Sequence, residues 1–464
     1  MAAEAKKLHV VVFPWLAFGH MIPFLELAKS IAQKGHRVTY VSTPRNVDRL
    51  PKIPSTLISQ LNYLKLPLPQ IANLPENAEA TTDLPITKVH CLKKAYDGLQ
   101  IEVAQFLETT LPDWLIYDFA SHSLPSMVGK LGISLAFFSS MNAWSAAFFG
   151  SAKTFHTRTQ PEDFLVPPKW VPFPSKVAFR RHELMRMDAG NVENASGVSD
   201  WDRVAEALIG CDAILVRSCR ELESDWLDLT EKMHEKPVIT VGLMPPSARD
   251  REDDGDDTWH TISGWLNRHG KESVIYVALG TEVAPSQEEL TELATGLELS
   301  GLPFFWALRK KEGLSEFESL ELPDGFEERV KERGIVWTSW TPQLRVLAHD
   351  SVGGFLTHCG WSSVIEGLQN GRPLVMLPFQ LDQGLNARAL EEKMVGIEVP
   401  RDEDDGSLSR DSVAESLRLV MADQKGQVYR DKAKEMKLIF GDKDLQEKYE
   451  DNLIEYLEKI RGLI

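Results

Sequence analysis

The sequence predicts an α/β protein of two doubly wound, Rossmann-like domains facing each other across a cleft. Three observations carry that expectation. The chain has 464 residues, more than one ordinary hydrophobic core fills. Short apolar, β-rich runs alternate with amphipathic segments, as parallel strands covered by helices on both faces require. The alternation also stops once, near residue 250, and then begins again.

The first run, "LHVVVF" at 8–13, leads into "MIPFLELAKSIAQKG" at 21–35, a helix that Gly35 should end. "RVTYV" (37–41), "DWLIYDF" (113–119) and "SLAFFS" (134–139) follow as buried strands, each with a loop or helix behind it. From 241 to 260 the chain reads "VGLMPPSARDREDDGDDTWH", with a proline pair and then "REDDGDD", which cannot bury a core and reads as a solvated linker. Beyond it, "SVIYVALG" (273–280) is a strand, and "SQEELTELATGLELSG" (286–301) is a helix with a Ser286–Glu289 capping box and a terminal Gly301. "PFFWAL", "GIVWTSW", "VGGFLTH" and "PLVMLPF" continue the series, and "LQEKYEDNLIEYLEKIRGLI" closes the chain as an amphipathic helix. The expected division is therefore an N-terminal domain at 1–244, an acidic linker at 245–258, a C-terminal domain at 259–440, and a final helix at 441–464 packing back across both.

Composition narrows the partners. A net charge of -17 argues against nucleic acid or an anionic membrane surface. No apolar run approaches the roughly 20 residues that span a bilayer. The apolar stretch at the start is short, holds His9 and meets Pro14 without a cleavage site, so a first strand is expected rather than a signal peptide. Cys91, Cys211, Cys219 and Cys359 show no CxxC pairing, as free thiols in the cytoplasm would not. The acidic runs at 251–257 and 401–406 lack histidine and rigid ligand spacing and read as charged loops.

The chemistry concentrates in "HCGWSSVIEGLQNG", 358–371. A zinc site is excluded because no further Cys or His lies at ligand spacing. A hydrolase elbow fails because Val364 stands where G-x-S-x-G needs its last glycine. A phosphate floor fits: a buried strand turns out at His358–Gly360, and the next helix opens with Ser362 and Ser363 in its first turn. Glu366 falls on the same face as Ser362 and could accept two hydrogen bonds from a vicinal diol. A merely capped helix with a surface glutamate fits the fragment equally well. In the N-terminal half, His20 follows Gly19 at the start of the first helix, and Asp118 ends a buried strand. Both are placed to face the cleft. Such a pair suits general-base activation of a hydroxyl, with the carboxylate fixing the imidazole tautomer.

From Trp340 to Gln383 the chain reads "WTPQLRVLAHDSVGGFLTHCGWSSVIEGLQNGRPLVMLPFQLDQ". This stretch closely resembles the signature box of the plant UDP-sugar-dependent glycosyltransferases, family 1, which act in secondary metabolism. "STPRN", "YDFASH" and "YVALGTE" extend the resemblance over essentially the whole chain, and "YVALGTE" with "HCGWSS" is most similar to the branch that adds a sugar onto an existing sugar. The resemblance implies the GT-B fold and an inverting transfer from a UDP-sugar to a small-molecule hydroxyl. Trp340 would stack on uracil, and Gln343 would hold the ribose or base edge. His358, Ser362, Ser363 and Thr281 would bind the diphosphate, and Glu366 the ribose. Trp361, Asp382 and Gln383 would hold the hexose, and His20 and Asp118 align with the family's His–Asp dyad. Ser362 departs from the usual Asn of the family and gives a shorter reach. No metal or cofactor is expected, since no Asp-x-Asp metal clamp is evident in the 340–383 stretch and the UDP-sugar is a co-substrate. The implied donor is UDP-glucose, with UDP-rhamnose as the alternative. The implied acceptors are glycosides of terpenoids, steroids or flavonoids, with direct transfer to an aglycone as the variant.

Trp15, Phe18, His90, Asn142 and Phe379 are the candidates to line the acceptor pocket, although ordinary core packing would use such aromatics too. A nicotinamide oxidoreductase is disfavoured because neither strand-to-helix turn carries G-x-G-x-x-G. A noncatalytic small-molecule binder on the same fold would have no use for both His20 and Asp118.

Overall fold

The computed structural model describes residues 7–186, 195–246, 256–283, 285–308 and 321–463. Two compact units divide the chain. The first comprises Met1–Arg158, Ala189–Met244 and Lys443–Ile464, and the second Thr159–Asp188 and Pro245–Asp442.

The first unit is built on a seven-stranded sheet of β1 (His9–Phe13), β2 (Arg37–Ser42), β3 (Leu61–Lys65), β4 (Trp114–Tyr117), β5 (Ser134–Ser139), β6 (Ala213–Val216) and β7 (Val238–Thr240). Their order is β3-β2-β1-β4-β5-β6-β7, and every pairing is parallel. β1, β4 and β5 are buried at every position, which is why they appear as unbroken apolar runs. The second unit has β8 (Val274–Ala278), β9 (Phe304–Ala307), β10 (Gly334–Trp337), β11 (Val352–Thr357), β12 (Leu374–Met376) and β13 (Gly396–Glu398). Their order is β10-β9-β8-β11-β12-β13, again all parallel.

Each sheet reverses direction beside its first strand, between β1 and β4 in one unit and between β8 and β11 in the other. Ligands of doubly wound folds bind at the carboxyl ends of the strands at such a switch point. Register makes this specific. Phe13 pairs with Tyr117, so the loop after β1 and Asp118 start side by side. Ala278 pairs with Thr357, so Gly280 and His358 also leave the sheet together.

The expected helices form where their signals lie. Ser286 and Glu289 close a reciprocal capping box at the start of the helix Gln287–Ser300, and Gly301 ends it with φ 72°. The segment Thr159–Asp188, expected in the N-terminal domain, groups with the second unit. The reason is a set of long-range ion pairs. Arg388 grips both oxygens of Glu183 at 2.8 Å, and Arg180 reaches Glu398 at 2.9 Å. Most of the expected linker lies outside the described residues, but its last part is already helical, within Asp256–Leu266. The closing helix, Lys443–Ile460, belongs to the first unit. Leu453 and Leu457 join the core around Leu8 and Val38, and the Trp114 indole donates to the Leu457 carbonyl at 3.1 Å. Among the described residues no helix is long and apolar enough to cross a membrane.

Candidate active site

In the first unit, the chain turns out of β1 through Pro14 and Trp15, and the helix Phe18–Gln33 begins at the turn. His20 sits in the first turn of that helix, with 26% of its side chain exposed. Its Nδ1 lies 2.9 Å from Oδ2 of Asp118, which is almost wholly buried. The carboxylate is anchored by backbone donors: Trp15 N–H reaches Oδ2 at 2.7 Å and Ala120 N–H reaches Oδ1 at 3.1 Å. A buried acceptor on Nδ1 leaves Nε2 as the nitrogen able to take a proton, and partial exposure leaves the ring within reach of a substrate. The Phe119 ring lies tilted beside the imidazole, with centroids 5.6 Å apart.

In the second unit, the turn after β11 is made by His358, Cys359 and Gly360. Cys359 takes φ 66°, is fully buried, and donates its N–H to Thr357 Oγ1 at 3.3 Å. Burial pushes its thiol pKa well above the ordinary value, so it is a turn residue and not a nucleophile. The His358 ring lies between two glycines. A Cβ on Gly280 would stand 2.7 Å from it and one on Gly360 2.5 Å, and Gly280 also needs its φ of 77°. Burial lowers the His358 pKa to about 4, so the ring is neutral near pH 7. Its Nδ1 is buried without a partner among the described residues. Such an orphan calls for a ligand or a water.

The helix Trp361–Leu368 starts at Gly360 with no side-chain cap, so its first-turn N–H groups face outward from the turn. Ser362, Ser363 and, across the switch point, Thr281 are half-buried there. One turn on, Glu366 accepts from Gln343 Nε2, while the Tyr276 hydroxyl donates to Gln343 Oε1 at 3.1 Å. Trp340, three residues before Gln343, remains 39% exposed, with its carbonyl held by the Trp337 indole at 3.1 Å. An exposed indole can offer a flat face, a carboxylate a diol acceptor, and a helix start without a side-chain cap an anion cradle.

Asp382 begins the helix Gln383–Glu392. A residue that the sequence reading missed joins it to the His358 turn. Asn386, fully buried, donates to the Cys359 carbonyl at 2.9 Å and to Asp382 Oδ2 at 3.1 Å. Its only sequence signal is its place four residues after Asp382, on one helix face.

The sequence profile of the family described as "UDP-glucoronosyl and UDP-glucosyl transferase" matches residues 250–448. UDP-glycosyltransferase 91A1 of Arabidopsis thaliana is 51% identical over 458 residues, covering 98% of this chain and 97% of that one. The chain belongs to the plant UDP-glycosyltransferase family. The Soyasaponin III rhamnosyltransferase of Glycine max, another relative, is 45% identical over 98% of this chain and 96% of its own length. In structure, the chain is similar to the Glycyrrhiza uralensis UGT73P12 complexed with glycyrrhetinic acid 3-O-monoglucuronide, with TM-score 0.81, 22% identity, and coverage of 98% of this chain and 96% of that one. The fold is therefore GT-B and the protein is a glycosyltransferase.

Several residues expected to touch ligands also have partners within the protein. The Trp361 ring is buried and lies edge-on to Phe440. The side-chain oxygen of Gln383 is taken by the N–H groups of Phe379 and Gln380 at 2.9 and 3.0 Å, and the residue is buried. Among the acceptor candidates, Asn142 is completely buried and caps the helix Ala143–Phe149 through Ser145 N–H. Phe379 is core of the second unit beneath the Arg401 guanidinium. Trp15 is buried edge-on to Tyr96 and Phe119. Phe18 is half-buried under Arg49, and half-buried His90 lies 3.5 Å from Cys91 Sγ. Aromatic side chains at strand ends pack or line a pocket with the same local sequence.

Proposed function

We propose that the protein transfers a sugar from a UDP-sugar to a hydroxyl of a small-molecule glycoside, with inversion at the anomeric carbon. The observation that carries the reading is the His20–Asp118 pair, 2.9 Å apart at the switch point of the first sheet. His20 takes the proton of the attacking hydroxyl at Nε2, and buried Asp118 holds the tautomer and stabilises the imidazolium. The oxygen attacks the anomeric carbon as the bond to the diphosphate breaks, so an α-linked donor sugar becomes β-linked in a single displacement. The departing UDP is stabilised by the N–H groups that open the helix Trp361–Leu368, by the hydroxyls of Ser362, Ser363 and Thr281, and by an N–H of neutral His358. Glu366, aimed by Gln343, accepts the ribose hydroxyls, and Trp340 stacks on uracil. Asp382 and the backbone at Trp361 hold the hexose, with Gln383 shaping the 379–382 loop between them. The reading calls for no metal or cofactor. It fits a cytoplasmic protein, whose four cysteines remain free thiols.

For the donor we propose UDP-glucose. The soybean relative named as a soyasaponin rhamnosyltransferase makes UDP-rhamnose the second reading. That same name supports a terpenoid glycoside as acceptor over a bare aglycone. The test is a screen of UDP-glucose and UDP-rhamnose against terpenoid, steroid and flavonoid aglycones and their monoglucosides, read by mass. Addition of one sugar to a monoglucoside is the expected result. Transfer confined to aglycones overturns the chain-extending role.

A further inference from the structure

The turn that carries Asp118 is held from behind by side chains that touch no reacting group. After Tyr117 the chain runs through Asp118, Phe119, Ala120, Ser121, His122 and Ser123 into the short helix Leu124–Val128. Gln100, fully buried on the helix Val89–Thr110, accepts three hydrogen bonds at its Oε1. These come from Ser123 N–H (3.1 Å), Ser123 Oγ (2.8 Å) and Leu124 N–H (3.1 Å). Its Nε2 donates to Asp97 Oδ1 at 3.0 Å and to the Ala120 carbonyl at 3.4 Å. One turn earlier, Tyr96 stacks on Phe13 with ring centroids 4.7 Å apart, and its hydroxyl lies 2.7 Å from Ser121 Oγ. Buried Arg203 donates to both oxygens of Asp97, at 2.8 and 2.7 Å, and to the same Ala120 carbonyl at 3.3 Å. Ala120 is thus gripped at its carbonyl while its N–H holds Asp118 Oδ1.

A helix of five residues does not account for three donors on one amide oxygen and a second grip two residues upstream. Gln100 Nε2 and Arg203 reach the carbonyl of Ala120, whose N–H holds Asp118 Oδ1, and the other contacts fix Ser121, Ser123 and Leu124 just beyond it. We infer that Gln100 and Tyr96 are positioning residues for the base pair: they fix the 118–124 turn so that Asp118 presents Oδ2 to His20. The inference rests on reading His20 and Asp118 as that pair. Loosening the turn lets the carboxylate rotate or withdraw, and an imidazole that loses its orienting partner is a poorer base even when it stays in place.

Because these groups act through Asp118, their removal should not add to its loss. The test compares Gln100→Met, Tyr96→Phe and Asp118→Asn with each of the first two combined with the third. kcat is measured with UDP-glucose and UDP-rhamnose on terpenoid and flavonoid monoglucosides and normalised to UDP-binding sites counted by calorimetry. Alone, Gln100→Met should lower kcat about 10-fold and Tyr96→Phe about 3-fold, with UDP affinity unchanged. In the Asp118→Asn background both factors should shrink to about 1. If the factors persist in that background, or are absent alone, Gln100 and Tyr96 are only structural and the inference fails. If Asp118→Asn itself retains full kcat, the reading of the base pair fails first. Should Gln100→Met not fold, Tyr96→Phe decides alone, since it removes one hydroxyl and keeps the ring stack.

Discussion

Replacing Glu366 by glutamine removes a charge while keeping the shape of the side chain, and its cost follows from the geometry. The carboxylate is aimed by a two-step relay, Tyr276 to Gln343 to Glu366, in a half-buried position one turn from the anion cradle. Hydrogen bonds to a charged acceptor are worth about 1.5–3 kcal/mol, roughly twice the neutral kind. Glutamine keeps a neutral acceptor, so Glu366→Gln should weaken UDP binding by about 3- to 10-fold. Tyr276→Phe removes only the aiming bond, about 1 kcal/mol, and should cost about 5-fold. Titration calorimetry with UDP and 2′-deoxy-UDP reads both effects. The native protein should prefer UDP, and in Glu366→Gln the two affinities should converge. Glu366→Gln binding UDP within about twofold of the native protein, or keeping its full preference for the 2′-hydroxyl, refutes the ribose role.

Other perturbations probe the surroundings of the site. Gly280→Ala forces a left-handed alanine, costing about 1–2 kcal/mol, and sets a methyl 2.7 Å from the His358 ring. UDP affinity and melting temperature should both fall, and a variant unchanged in affinity would remove His358 from the phosphate site. Arg388→Met strands Glu183 in a buried pair and should cost about 3–5 kcal/mol in urea unfolding. Glu183→Gln combined with Arg388→Met should recover much of that loss, and a double variant less stable than the single one would contradict the assignment. Burial lowers the pKa of His9, His182 and His358 to about 4 from 6.5. Above pH 6.5 they are neutral in both states. Between pH 6.5 and about 4 the unfolded chain binds protons first, so each should remove about 1 kcal/mol of stability per pH unit. A urea midpoint flat from pH 7 to 5 would show that these rings are solvated.

Much of the fold is legible because parallel strands buried on both faces leave continuous runs such as "LHVVVF" and "DWLIYDF". The capping box at Ser286 is equally readable, being a local pattern with a local cause. The segment Thr159–Asp188 is not. Its place is set by Glu183 and Arg180 meeting Arg388 and Glu398 more than 200 residues away, and no periodicity records such pairs. At the site, the place of Asp118 beside His20 and of the opening of the helix Trp361–Leu368 is legible in the sequence, because both follow the carboxyl ends of buried strands. The internal partners of Asn142, Gln383 and Trp361 are not, since a side chain beside a helix start can cap it, tie a loop or pack without any change in sequence pattern. Asn386 and Gln100 bond in part to backbone carbonyls and amides far along the chain, and such partners leave no residue-type signal.

The most direct measurement is turnover by His20→Ala at saturating UDP-sugar, on protein whose UDP-binding sites have been counted. Loss of the base should lower kcat by about 10²- to 10⁴-fold while UDP still binds with native affinity. Near-native turnover, or loss of UDP binding along with activity, would contradict an imidazole base acting on a sugar held by the helix start after Cys359.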